Sequence, residues 1–212
     1  MSVYLQLRDP GVMRALRHPA LKGLPRLARG AFCAVYDKGD TVLKLTCDPV
    51  SYEFAAGFAR PLGDHFPQLV DDFDRVGETR AGDPLYLFEV EKLQPIRRET
   101  PREVKLSAGR LCESVDVTWS KYRWSARKGE NDCIASYRAL QEVAADTTVP
   151  ETMREALGEL ALFAGCHDAV IDFHQANVML RGDMIVLNDV VVGDAALEKL
   201  QKKRNPRGYR FG

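Results

Sequence analysis

The chain is 212 residues long, with 30 lysines and arginines balanced by 30 aspartates and glutamates and a formal net charge of zero. That length suits one large domain or two small lobes, and the balance excludes a chain that binds nucleic acid or a membrane surface through overall charge. Five scattered cysteines (Cys33, Cys47, Cys112, Cys133 and Cys166), odd in number and without a CxxC pair, point to reduced thiols rather than a disulfide frame or zinc knuckle.

In chain order, residues 1 to 23 read as a short amphipathic lead-in, with Val12, Ala15 and Leu16 at helical spacing before "HPALKGLP" breaks it. No secretory pattern opens the sequence, and no run approaches the roughly eighteen apolar residues of a membrane span, so the expected location is the cytoplasm, with no membrane partner. "AFCAVY" and "TVLKLT", separated by "DKGD", predict a hairpin. "DPVSYEFAAGFARPLG" predicts a helix capped by Asp48, opened by Pro49 and closed by Pro61 and Gly63. "LVDDFDRV" and "PLYLFEVEKL" predict a second β region.

After Pro95 the pattern turns helical. "TPREVKLSAGRLCESV" starts with Thr100 as cap and Pro101 at the first helical position; "NDCIASYRALQEVAAD" and "VPETMREALGELALFAGCH" carry apolar residues three and four apart. "TWSKYRWSARKGE" between the first two reads as a loop or frayed helix. A last hairpin, "VML" / "RGD" / "MIVLND", follows "IDFHQA". The predicted fold class is therefore α+β: a β-rich half over residues 1–93 and a helical half over 94–212.

The chemistry gathers at three places. Gly30 stands where a strand turns over, with Val35 beyond it. Val42 and Lys44 share a face by strand alternation, placing an apolar contact and a cation side by side, a pairing suited to a purine ring and its phosphates. Glu53, on the following helix, is either a partner that holds Lys44 extended or a solvated acid. In the last third, Asp172 and Asn177 stand five apart, and Asp189 follows Asn177 by twelve. A carboxylate to orient a hydroxyl nucleophile and hard oxygen ligands for a phosphate-bridging Mg²⁺ are what phosphoryl transfer from ATP needs. His174 with His167 makes poor metal geometry, and a structural role in the loop is the expectation for His174.

This ordered set resembles the protein-kinase superfamily. "RGAFCAVY" is similar to the glycine-rich loop with Gly30 alone retained, Ala28 and Cys33 standing at the other two positions. "TVLKL" resembles the VAIK strand, "FEVEKLQP" the strand that enters the hinge, "IDFHQANVML" the HRDxxxxN loop without its His-Arg, and "LNDVV" the DFG strand without its Phe-Gly. The resemblance implies a reduced two-lobed kinase-like fold. It makes Lys44 the phosphate-binding lysine, Val90 the gatekeeper, Glu91 to Leu93 the adenine-facing segment, Asp172 the catalytic residue, and Asn177 and Asp189 the Mg²⁺ ligands. A closer resemblance is to the compact early serine/threonine protein kinases of T-odd podophages, patchily from about Leu27 to Val192. It implies ATP- and Mg²⁺-dependent phosphorylation of host proteins.

Two alternatives remain open at this point: a pseudokinase-like protein that binds and inhibits a partner, and a small-molecule phosphotransferase. About twenty residues follow Asp189, too few for an ordinary activation loop. Substrate recognition is accordingly expected from "WSKYRWSARK" or from the basic tail, where Lys199, Lys202, Lys203, Arg204, Arg207 and Arg210 also offer the one surface attractive to nucleic acid. A solvated terminus is the simpler reading of that tail.

Overall fold

The structure, a computed structural model, describes residues 5–58, 63–125 and 132–198. The fold is α+β, with an antiparallel sheet in one compact unit and helices dominating a second. The described residues of the first unit are 5–52, 69–92 and 193–198; those of the second are 53–58, 63–68, 93–125 and 132–192. Pro61, the basic tail from Lys199, residues 126–130 of the Trp-containing stretch and Asn131 lie outside the described residues.

In the first unit the strands are β1 (Arg26–Arg29), β2 (Cys33–Asp37), β3 (Thr41–Thr46), β4 (Leu69–Glu78) and β5 (Pro84–Glu91), in the order β1-β2-β3-β5-β4. The expected hairpin is β2 and β3, pairing Val35 with Lys44 and Asp37 with Val42. Gly39, at φ 96°, takes the left-handed position that its turn requires. One sheet face carries Ala34, Tyr36, Leu43, Leu45, Leu85 and Leu87, which pack with Leu5, Val12 and Ala15 into a core. Burying each such leucine contributes about 1.5–3 kcal/mol.

The lead-in helix α1 (Pro10–Ala15) is held onto this face by capping and by a close approach. Asp9 Oδ1 accepts from Gly11 N at 2.8 Å and Val12 N at 3.2 Å, and Arg80 N donates to the same carboxylate, so the cap also ties α1 to the β4–β5 turn. A Cβ at Gly11 would fall 1.8 Å from Glu78 O, so only glycine fits there.

Asp48, expected as a helix cap, is one and does more. α2 (Pro49–Glu53) starts after it, Val50 N donates to Oδ1 at 3.2 Å, and Ser51 Oγ donates to Oδ2 at 2.6 Å. Gly193 N donates to the same fully buried carboxylate at 3.0 Å, so three donors stabilise its charge.

The predicted helix does not run on regularly: after Glu53 the chain makes a π-helical turn over Phe54–Phe58. Residues 53–58 and 63–68, read from sequence as part of the β-rich half, belong to the helical unit. Aromatic packing is the reason, since Phe54 meets Phe66 at 5.3 Å and Phe163 at 4.9 Å, both edge-on.

The second unit is built on α3 (Arg102–Ser125), α4 (Asp132–Ala144) and α5 (Glu151–Cys166). α3 continues through "TWSKYRWS", where a loop or frayed helix was expected; Val115 and Thr118 carry its buried face onward, and the Arg123 guanidinium lies 4.8 Å over the Trp119 ring. The Thr100 hydroxyl accepts from Arg97 N at 3.0 Å, closing the turn ahead of the helix. The strands are β6 (Gln94–Pro95), β8 (Val178–Arg181) and β9 (Met184–Leu187) in one sheet, ordered β6-β8-β9, and β7 (Ala169–Ile171) with β10 (Val191–Gly193) in another, with β7 lying against α4 and α5. The β8–β9 hairpin is the expected one, turning through Gly182 at φ 62°; β7 and β10 are too short to read from sequence. Ser136 Oγ accepts from Ile171 N at 3.1 Å, fixing β7 to α4.

Candidate functional site

The second unit gathers Asp172, Asn177 and Asp189 at the ends of its short strands. β7 stops at Ile171, and Asp172 N donates to Val190 O at 2.8 Å. A single 3-10 turn, Gln175–Asn177, then leads into β8, with Asn177 N donating to His174 O at 2.8 Å. Beyond the hairpin, Asn188 N donates to Asn177 O at 2.8 Å, which brings Asp189 back beside the loop. Local sequence explains this: Ile171, Phe173, Val178, Leu187 and Val190 are buried, while Asp172 and Asp189 between them are exposed. Apolar neighbours anchor the backbone and leave the carboxylates in water.

Asn177 joins the set. Its Nδ2 donates to Asp172 O at 2.8 Å, to Asp172 Oδ2 at 3.2 Å and to Asp189 O at 2.9 Å. With the amide hydrogens committed to both aspartates, Oδ1 is the side-chain atom left to act as an acceptor or ligand. Asp189 sits at φ 53°, a left-handed conformation uncommon outside glycine, and such outliers concentrate at functional positions. Asn188 Nδ2 donates to Asp189 Oδ2 at 3.3 Å. Asn188 is buried and was not singled out from the sequence, although it stands next to Asp189 in "LND".

His174 Nε2 lies 3.6 Å from Asp172 Oδ1, and its carbonyl holds Asn177 N. His167 is elsewhere: it stacks on Phe163 at 4.3 Å and pairs through Nδ1 with Glu53 Oε1 at 3.3 Å. Among the described residues, no three His, Cys, Asp or Glu side chains form a metal-binding group. The Asp189 carboxylate and Asn177 Oδ1 are nevertheless hard oxygen donors of the kind Mg²⁺ takes.

In the first unit, Val35, Val42, Lys44 and Val90 lie on one sheet face, opposite the leucine core. The register aligns Val35, Lys44 and Phe88 across β2, β3 and β5, and Asp37, Val42 and Val90 two pairs along. Lys44 is only 4% exposed, which sets it apart from an ordinary surface lysine. Phe88, not singled out from the sequence, is buried beside it; its position two before Val90 in an alternating strand was the available signal. Gly30 N donates to Cys33 O at 2.8 Å in the β1–β2 turn, and a Cβ at Gly30 would make only ordinary contact, at 3.8 Å. Glu91 pairs with Thr41 at the end of β5, and Lys92 N donates to Asp40 O at 3.1 Å. Lys92 Nζ reaches Asp37 at 2.7 Å, and its hydrogen bond holds the Asp37 carboxyl below the usual carboxylate range. Leu93 is buried in the second unit.

No family model matches the chain, and no curated protein matches it. Among solved structures it is similar to a thermostable mutant of the aminoglycoside phosphotransferase APH(4)-Ia in its apo form, at 15% identity over 88% of this chain and 80% of that one, with a TM-score of 0.37. A ternary complex of such a mutant with AMP-PNP and hygromycin B is similar at 16% identity over 92% and 82% of the two chains, and one with ADP and hygromycin B at 16% over 88% and 79%, each with a TM-score of 0.32. At these scores no residue role, ligand or substrate passes from those enzymes to this chain.

Proposed function

We propose that the chain is a phosphotransferase that uses ATP and Mg²⁺ to phosphorylate a hydroxyl acceptor. The observation that carries this reading is the tether of Asn177 to Asp172 and Asp189, with Nδ2 at 2.8 Å from Asp172 O and 2.9 Å from Asp189 O. Such a set joins a carboxylate fit to accept or orient a hydroxyl proton to two hard oxygen ligands. Asp172 takes the first role; Asn177 Oδ1 and the Asp189 carboxylate would hold the metal. Bound there, Mg²⁺ supplies charge neutralisation on the phosphates.

Lys44 is assigned to the phosphates, its ammonium withdrawn from bulk water and therefore strong in its electrostatics. Val35, Val42 and Val90 on the same face give an apolar surface for a purine ring, and Gly30 with the Glu91–Leu93 segment completes the nucleotide-binding assignment. Glu53 stays in the nucleotide-binding assignment, its Oε1 lying 3.3 Å from His167 Nδ1.

Serine and threonine hydroxyls of host proteins are the acceptors in this reading, following the sequence resemblance, with action in the host cytoplasm. A small-molecule hydroxyl is the alternative acceptor. Incubation with γ-labelled ATP, a cell lysate and, separately, a panel of small polyols and amino sugars tests both. Label on proteins supports the first acceptor class, and label on a small molecule alone replaces it with the second. Tight ATP binding with no transfer to any acceptor, itself included, would make the chain a pseudoenzyme.

A further inference from the structure

The second unit carries a groove at the junction of α4 and α5, lined by none of Asp172, Asn177 and Asp189. Its volume is about 480 Å³, within the range of small-molecule sites. Ile134 and Tyr137 of α4, Leu162, Gly165 and Cys166 of α5, and Asp168 just beyond α5 line it. Gly165 shapes the groove, since a Cβ there would lie 3.1 Å from Tyr137 Cδ2; the tyrosine ring is laid against bare helix backbone. Gln141 Nε2 donates to the Tyr137 hydroxyl at 2.6 Å, fixing the ring from the next turn of α4.

Two properties select a ligand. Ile134 and Leu162 are large apolar side chains left 38% and 51% exposed, so an apolar body covering them would gain the transfer free energy that folding did not collect. Among the described residues the lining has one carboxylate, Asp168, and no lysine, arginine or histidine, so its charge is complementary to a cation. Tyr137 adds an aromatic side chain to the same lining, a group that attracts ammonium ions. We propose that this groove is a binding site for a small amphiphilic amine, its apolar part against Ile134, Tyr137 and Leu162 and its ammonium toward Asp168.

Cys166 lines the groove and is exposed, which gives a local readout on the full chain. The rate of iodoacetamide alkylation at Cys166, followed by peptide mass spectrometry, is measured with increasing 2-naphthylmethylamine, with neutral 2-naphthylmethanol and with 2-naphthoate. The expected result is saturable protection by the amine, about fivefold weaker protection by the alcohol, and none by the carboxylate. Asp168 sits at φ 48°, a conformation asparagine adopts readily, so Asp168→Asn removes the charge without new strain. That variant should protect equally with amine and alcohol, and Leu162→Ser should weaken both. Equal protection by amine and carboxylate in the wild type, or no slowing at millimolar amine, overturns the proposal. So does an Asp168→Asn chain, shown folded by its melting curve, that still prefers the amine.

Discussion

Asn177 Nδ2 donates to both the backbone carbonyl and the carboxylate of Asp172, at 2.8 and 3.2 Å, and so fixes the direction of an exposed acid. The same atom holds Asp189 O, twelve residues further along the chain. Replacing Asn177 with alanine removes the tether and one hard oxygen together. Phosphotransfer is expected to fall by about two to three powers of ten, the scale of losing one preorganised electrostatic group, with an increase in the Mg²⁺ concentration needed for half-maximal rate. Initial rates across a Mg²⁺ titration check it; a drop in rate with the metal requirement unchanged would remove Asn177 from the metal.

Lys44 gives a separate prediction about binding. Lys44→Met keeps a buried apolar stem at this position of β3 but loses the ammonium, so ATP affinity should fall about tenfold or more, the loss being greatest when Mg²⁺ is absent. Calorimetry of wild type and variant, each with and without Mg²⁺, measures this. Four equal affinities would remove Lys44 and the metal from nucleotide binding together.

Much of this arrangement was legible before any coordinates. Alternation placed Val42 and Lys44 on one face, because a strand with a buried leucine face admits only one phase, and Leu43 and Leu45 fixed it. The spacing of Asp172, Asn177 and Asp189 named the three residues, since polar side chains set singly between buried apolar ones have to project outward. The Glu53–His167 pair was hidden by distance, its partners lying 114 positions apart and meeting only through the packing of Phe54 on Phe163. Asn188 was hidden by its neighbour, and the extension of α3 past Thr118 by charged residues that mask a narrow buried stripe.

Stability of the first unit should depend on pH through Glu89. This acid is 3% exposed; burial works against its charge, but hydrogen bonds from Lys38 at 2.6 Å and from Thr41 outweigh that and hold its carboxyl below the ordinary range. Its contribution is therefore complete above the usual carboxylate range and is lost as pH falls through the depressed folded value. Glu89→Gln should destabilise by about 1–3 kcal/mol at pH 7, with the gap to wild type narrowing toward pH 3. Urea titrations at several pH values test it; a gap that stays constant assigns the effect to packing.

The aromatic anchor of the second unit is testable in the same way. Phe54→Ala should cost about 3–5 kcal/mol by opening a cavity between Phe66 and Phe163. A loss under about 1 kcal/mol in denaturant melts would mean that the π-helical turn is held by other contacts.

The basic tail bears on acceptor choice. Deleting residues 201–212, which removes five of the six basic residues, should spare ATP binding and self-labelling but slow labelling of lysate proteins, most at low ionic strength, where closely spaced charges act over the longest range. Equal labelling by truncated and full-length chains at low and high salt would show that acceptors are recognised elsewhere.

The central claim is that Asp172 serves phosphoryl transfer. Label transfer from γ-labelled ATP to lysate proteins and to the small-molecule panel, compared between wild type and Asp172→Asn at matched ATP occupancy, tests it most directly. Asparagine keeps the loop's shape and removes the proton acceptor, so the account predicts unchanged melting and nucleotide affinity with transfer reduced by about two to four powers of ten. Transfer by the variant at the wild-type rate, or no transfer by either protein to any acceptor, would contradict it.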